Sequence, residues 1–504
     1  MPDMRTIVLL LFLVVRSACA QARAEQPPNI ILILADDLGY AELGCYGQKK
    51  IQTPRLDALA AEGVRFTRFY SASTVCAPAR CSLMTALHTG HSQIRGNKEL
   101  GGWGPEEPEG QLPLPNDART IAEALHDRGY TTGIFGKWGL GGPGSEGHPC
   151  GQGFDSFYGY LCQRVAHNFY PTHLWRNHNV DIQRGNTYFP SHQKLECPPL
   201  DAHRRPDPGA YAHYRGRDYS PEEITREAIA FIERSAERPF FVYFPSTLPH
   251  AALQAPPEWV DRYPREWDAE PYLGQAGYLP CERPRATYAA MISFLDDAVG
   301  RLVDAVERAG VAQRTIIIFT SDNGTTFNGG VDRAFFDSLG GLRGHKTNLY
   351  EGGIRVPLIV RWPGVVAPGT TADTPCVLYD LPVTLAEVAG AELAPEVDGV
   401  SLVALLRDGR APTDRALYWE FPEGARQQAL LFSDAGSPAG RWKAIRPDLT
   451  EDPRRVELYD LLADSGEDHD ISVKHPALVA RALEMMRASH TPSEQFPIAA
   501  VDTE

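Results

Sequence analysis

The spacing Cys76-Ala77-Pro78-Ala79-Arg80 places a thiol and a guanidinium where they could act on one anion. Leu83, Met84 and Leu87 follow at helical spacing, and Pro78 fits a first helical turn, where its missing N–H costs nothing. Cys76 therefore stands at the mouth of a helix, where unpaired N–H groups and the helix dipole favour negative charge. Arg80 lies about one turn on and can face the same pocket. Such a pair suits an anionic ester. A plain helix start with a chance cysteine and a solvated arginine accounts for the local pattern equally well.

Elements elsewhere in the chain add weight. Continuous apolar runs at 29–35, 131–135, 240–244 and 315–320 read as strands buried on both faces. They alternate with helical patterns at 54–62, 118–128, 220–236 and 285–309, which predicts a largely parallel sheet of the α/β class. In such sheets the ligand crevice lies beyond the carboxyl ends of the strands. Asp36, Asp37, Lys137, His250, Asp322 and Asn323 all fall at such ends. Taken singly, Asp-Leu-Gly and Asp-Asn-Gly are good turns. As a set, Asp36, Asp37, Asp322 and Asn323 offer only oxygen ligands, which suits Ca2+, with Mg2+ also possible. The group at position 76 would be a further ligand, bringing nucleophile and metal together.

These residues, in this order, resemble the type I sulfatases. Cys76-x-Pro78-x-Arg80 resembles the family's signature, Asp36-Asp37 and Asp322-Asn323-Gly324 its metal pairs, and Gly136-Lys137-Trp138 its lysine motif. Pro249-His250 resembles its sulfate-side histidine, and Gly344-His345-Lys346 through Pro357 the segment carrying its second lysine. The resemblance implies an alkaline-phosphatase-like α/β/α sandwich followed by a smaller C-terminal α+β domain. It also implies that Cys76 is oxidised to formylglycine by a maturation enzyme, and that the hydrated aldehyde attacks a sulfate monoester. Arg80, Lys137 and Lys346 would offset sulfuryl charge, and His250 would contact sulfate or protonate the leaving oxygen. One position departs from the pattern: Gly139 stands where the family has a histidine base. His148 and His167 are candidates for that role, though a surface-loop role suits each as well.

Two other readings stand beside this one. Phosphate or phosphonate esters are chemically close substrates for the same superfold, and Gly139 leaves room for a sulfated-glycan-binding pseudoenzyme. Between 138 and 212 the chain is rich in Gly, Pro, His and aromatics, which suggests long functional loops. There His167, His173, Trp175 and Arg176 combine ring faces with hydrogen-bonding groups suited to a sugar, against the alternative of a packed loop. The expected substrate is an O-sulfated carbohydrate, galactose- or N-acetylgalactosamine-based.

The 504 residues carry a net charge of −15, which excludes a basic nucleic-acid surface and leaves anion capture to a local cationic pocket. Arg5, the apolar run 7–15 and Ala18-Cys19-Ala20 read as a signal peptide, 1–20, cleaved near Ala20. That predicts an exported, periplasmic or extracellular protein with no stable membrane insertion, since the run is too short to span a bilayer. Export permits disulfides; Cys150 with Cys162 is one candidate pair that the sequence does not assign. A catalytic domain over 27–395 and a C-terminal subdomain over 396–504 follow, with strands expected at 417–421, 429–432 and 441–445 and a helix at 476–488. The acidic end after Thr491 reads as loose.

Overall fold

The computed structural model describes residues 27–101, 109–187 and 208–503; the signal-peptide reading and Cys197 lie outside them. In chain order the strands are β1 (Asn29–Ala35), β2 (Val64–Phe66), β3 (Phe69–Tyr70), β4 (Thr131–Lys137), β5 (Ser156–Tyr160), β6 (His173–Arg176), β7 (Asn179–Ile182) and β8 (Phe240–Pro245). There follow β9 (Thr315–Ser321), β10 (Leu358–Arg361), β11 (Thr370–Ala372), β12 (Cys376–Val377), β13 (Leu417–Phe421), β14 (Gln427–Phe432), β15 (Trp442–Arg446) and β16 (Glu457–Asp460).

The main sheet runs β11-β2-β10-β9-β1-β8-β4-β5-β6-β7, and its centre, β9-β1-β8-β4-β5, is parallel. Every residue of β1 is buried, because its two faces enter different cores. Ile30, Leu32 and Leu34 pack with the layer holding helices Cys76–Thr85, Ile121–Asp127 and Asp380–Ala389. Ile31, Ile33 and Ala35 pack with Pro54–Ala61, Ser220–Ser235 and Pro284–Arg308. This is an α/β/α sandwich of the alkaline-phosphatase-like kind.

Register carries the polar strand ends to one edge. Ala35 pairs with Ser321 and Leu34 with Pro245, so Asp36, Asp322 and the turn after β8 emerge side by side. Asp36 N donates to Leu248 O and Asp322 N to Ala35 O, each at 3.0 Å. Gly136 keeps Lys137 at the same level: it takes φ +140°, and a Cβ there would meet Pro245 O at 1.9 Å.

Several expectations are corrected. The segment 138–212 contains β5 and the β6–β7 hairpin, which closes through Asn177 at φ +51°. Cys150 and Cys162 are both free thiols, with Cys150 Sγ directed at Asn177 Oδ1. The end after Thr491 is not loose: Phe496, Ile498 and Val501 are buried, and His490 bridges Glu420 and Asp502 at 2.8 and 2.9 Å.

The C-terminal region forms a separate antiparallel sheet, β13-β14-β15-β16. One face packs against helix Pro476–Ala488. From the other face, Trp419, Phe421, Ala429, Leu431 and Ile445 join the main core. Among the described residues, no helix is long and apolar enough to cross a membrane.

Candidate active site

Helix Cys76–Thr85 carries the thiol at its first residue, and all ten of its residues are buried. A helix buried all round needs partners for its polar groups. Arg80 finds them in Asp322 Oδ2, at 2.8 Å from Nη2 and 3.2 Å from Nε, and in Lys137 O, at 2.5 Å from Nη1. Its guanidinium therefore holds a carboxylate and a strand end rather than facing an open pocket.

Cys76 Sγ lies 3.3 Å from Asp36 Oδ1, 4.0 Å from Asp37 Oδ1 and 3.7 Å from Lys346 Nζ. Lys137 Nζ donates to Asp36 Oδ2 at 2.7 Å, and Lys346 Nζ to Asp37 Oδ2 at 2.9 Å. Asn323 Nδ2 donates to Asp37 Oδ1 at 2.7 Å, and Asp37 N to Asp322 Oδ1 at 3.1 Å. The loop bearing Lys346 is stitched in by its backbone: Lys346 N donates to Thr325 O, and Thr347 N to Thr74 O beside the nucleophile turn.

Burial penalises every charge here, and neighbours decide the outcome. Burial would raise Asp36, yet Lys137, His250, Arg80 and Lys346 together hold its carboxyl well below the usual range. Burial and the Asp36 charge push Asp322 up to about 7, against Arg80. Burial opposes the Lys346 charge, but Asp37 outweighs it and the ammonium is kept. Burial lowers His250 to about 4 against the pull of Asp37, so its ring is neutral. With Nδ1 bonded to Ala251 O, Nε2 is left to accept from Lys346 Nζ at 3.0 Å. Burial and Asp36 raise the Cys76 thiol, which stays protonated.

The donor set fits a hard cation. Asp36, Asp37, Cys76 and His250 present ligand atoms within 4.8 Å of one another. Asn323 Oδ1 is buried and has no hydrogen-bond partner among the described residues, so its chemistry fits an oxygen ligand of a hard cation.

Of the sugar-facing candidates, His167 reaches the site: its ring stacks on His250, centroids 3.9 Å apart at 8°. His173 lies 3.3 Å from Glu109, which also accepts from Trp175 Nε1. Arg176 is not brought to the crevice; it pairs with both oxygens of Glu227, at 2.8 and 3.0 Å, and lies over the Tyr158 ring. His148 sits at the hairpin turn, bonded to Asn177 O and stacked on His178. The space beside Gly139 is filled by Gln163. Sequence reading missed Asn97, Gln163 and Glu423, which meet next to the nucleophile turn from three distant segments without a local motif.

A parallel sheet with buried carboxylates, lysines and a helix-end nucleophile position at its carboxyl edge defines a hydrolase of anionic esters. The chain matches the family model described as Sulfatase over residues 28–391, and that described as N-sulphoglucosamine sulphohydrolase, C-terminal, over 344–487. Arylsulfatase A of Homo sapiens is 33% identical over 502 residues, spanning 92% of this chain and 86% of its own. N-acetylgalactosamine-6-sulfatase of Homo sapiens is 30% identical over 415 residues, spanning 79% and 69%. The solved structure of Ps i-CgsB in complex with k-i-k-neocarrahexaose superposes with a TM-score of 0.71 at 27% identity, covering 92% of this chain and 93% of that one. The chain belongs to the sulfatase family, and its reaction is the hydrolysis of a sulfate ester.

Proposed function

We propose that this sulfatase cleaves O-sulfated carbohydrates, using formylglycine formed from Cys76 and a divalent cation held by Asp36, Asp37, Asp322, Asn323 and position 76. The observation that carries the reading is the placement of Cys76 Sγ between Asp36 Oδ1 and Lys346 Nζ, at 3.3 and 3.7 Å, in a pocket that keeps a thiol protonated. A protonated thiol is a poor nucleophile. A hydrated aldehyde at that position would supply an oxygen nucleophile, and a bound cation would polarise the sulfuryl group. The oxygen-only donors and the orphaned Asn323 Oδ1 support Ca2+, or Mg2+, as that cation.

The chain's own groups divide the remaining work. Lys137 holds Asp36 as an anionic ligand, and Arg80 orients the Asp322 carboxyl and favours its charged form. Lys346 Nζ stands 3.7 Å from the nucleophile position and can offset charge on sulfuryl oxygens. With His250 Nε2 3.0 Å away, Lys346 and His250 can pass one proton toward the leaving oxygen. Burial of the whole cluster keeps these interactions in low dielectric.

For the sugar, the carrageenan-derived oligosaccharide bound by Ps i-CgsB and the name of the N-acetylgalactosamine-6-sulfatases support a galactose- or N-acetylgalactosamine-based glycan. His167, His173 and Trp175 are the proposed sugar readers. Signal cleavage near Ala20, export, and maturation by a formylglycine-generating enzyme complete the proposal, with a catalytic domain at 27–395 and a C-terminal subdomain at 396–504. Profiling release from defined mono- and oligosaccharide sulfates, beside aryl sulfate and aryl phosphate, tests it. The expected result is fastest release from a sulfated glycan; preference for phosphate, or for aryl sulfate over every glycan, overturns the substrate reading.

A further inference from the structure

The bare position at Gly139 is explained by what occupies its space. A Cβ built there would lie 2.9 Å from Gln163 Cγ, and Gly139 adopts φ +80°. Gln163 is only 3% exposed, and its Nε2 donates to Asn97 Oδ1 at 3.3 Å. That same oxygen accepts from Ala77 N at 3.0 Å. Ala77 is the second residue of the nucleophile's helix, whose flanking Val75 offers no side-chain cap. Asn97 is anchored in turn: its N–H donates to Glu423 Oε1 at 2.6 Å, from the loop after β13. Gln163 N donates to Gln111 Oε1 at 3.2 Å. Three segments far apart in sequence thus converge on one orphan N–H beside residue 76.

We propose that Asn97 is a positioning residue that caps the helix carrying residue 76, that Gln163 fixes the orientation of the Asn97 amide, and that Gly139 lacks a side chain because Gln163 fills its volume. This rests on the reading that position 76 supplies the nucleophile. A helix whose first turn is pinned from outside holds residue 76 at a fixed distance from Asp36 and Lys346, and misplacement by about 1 Å costs on the order of 100-fold in rate. Two donors converge on Asn97 Oδ1, so the acceptor oxygen is what matters. Aspartate keeps it and alanine does not. A Cβ at 139 displaces Gln163, so Gly139 and Gln163 act as one unit.

The test is steady-state kinetics on matured, metal-loaded Asn97→Ala, Asn97→Asp, Gln163→Ala, Gly139→Ala and Gly139→Ala/Gln163→Ala proteins. Rates are normalised to formylglycine content and folded fraction. Asn97→Ala should lower kcat by about 10- to 100-fold with KM within roughly threefold, and Asn97→Asp should recover most of the loss. Gln163→Ala and Gly139→Ala should fall by similar factors, and the double variant should be no worse than the poorer single one. An Asn97→Ala kcat within about twofold of the parent, or fully additive losses at 139 and 163, overturns the proposal. If Asn97→Ala fails to fold, Gln163→Ala alone decides, since an unchanged kcat there breaks the chain of contacts. A parent active with unconverted Cys76 would instead sink the functional reading beneath it.

Discussion

At the scale of single residues, three carboxylates and three fixed cations share the crevice floor: Asp36, Asp37 and Asp322 against Arg80, Lys137 and Lys346. Charges so closely matched mean that removing any one member leaves a buried partner uncompensated. Asp322 is the most exacting member, since it accepts from Asp37 N and from the fully buried Arg80 at once. Asp322→Ala should therefore destabilise the fold by about 3–5 kcal/mol, the usual range for stripping one partner from a buried pair. Sulfate release should fall more than about 100-fold, without recovery in excess Ca2+. Asp322→Asn keeps the acceptor for Asp37 N and should lose as much activity but less stability than Asp322→Ala. Thermal melts, bound-metal analysis and sulfate release check all three. Full activity in chelator-treated protein free of any cation would remove the metal from the account.

At the scale of elements, the catalytic loops depend on contacts made by the C-terminal sheet. Lys443 on β15 is wholly buried, 2.9 Å from both Glu351 and Glu467. Glu467 in turn accepts from Glu351 N at 2.6 Å, at the start of the short helix Glu351–Ile354 behind the Lys346 loop. Burial pushes Glu467 up to about 7, against Lys443. Because that folded-state value stands above the unfolded one, its contribution is full below about pH 4.5 and is lost as pH rises through about 7. Lys443→Met removes the cation that bridges Glu351 and Glu467, leaving Glu351 with Arg355 alone, and should cost about 3–5 kcal/mol near pH 8, and less near pH 5, where Glu467 protonates. Urea unfolding across pH 5–8 measures it; a loss that does not shrink toward low pH would contradict the ion-triad reading. The same elements show what sequence could and could not tell. Strands β1, β4, β8 and β9 were legible because burial on both faces leaves unbroken apolar runs. Their polar ends marked Asp36, Asp37, Lys137, His250, Asp322 and Asn323. Strand β5 and the β6–β7 hairpin were hidden because a Gly- and aromatic-rich edge lacks alternation. The pairing of Arg176 with Glu227, 51 residues away on a helix, leaves no local trace in the sequence. Asn97, Gln163 and Glu423 form no motif at all, since only the folded chain brings them together.

At the scale of the whole molecule, catalytic and C-terminal parts share one interior. Trp419 of β13 donates to Ser71 O at 2.7 Å and meets the Tyr70 ring edge-on, and Gln427 donates to Thr347 O beside Lys346. Phe496 joins this shared interior, while Ile498 and Val501 bury against Leu449. Deleting residues 492–504 removes three buried apolar side chains, Phe496, Ile498 and Val501, and should cost about 4.5–9 kcal/mol at roughly 1.5–3 kcal/mol each. A calorimetric scan showing an unchanged midpoint would restore the view of a loose end. With a net charge of −15 on the chain, anion capture depends on Arg80, Lys137 and Lys346 in the crevice rather than on the surface field. Catalysis in this reading belongs to an oxidised residue 76. The most direct measurement compares sulfate release with the fraction of formylglycine at position 76, read by peptide mass, in preparations made with and without a maturation enzyme. Release should rise in proportion to conversion and vanish in Cys76→Ala. Activity that persists undiminished in protein whose Cys76 is wholly unconverted would contradict the account.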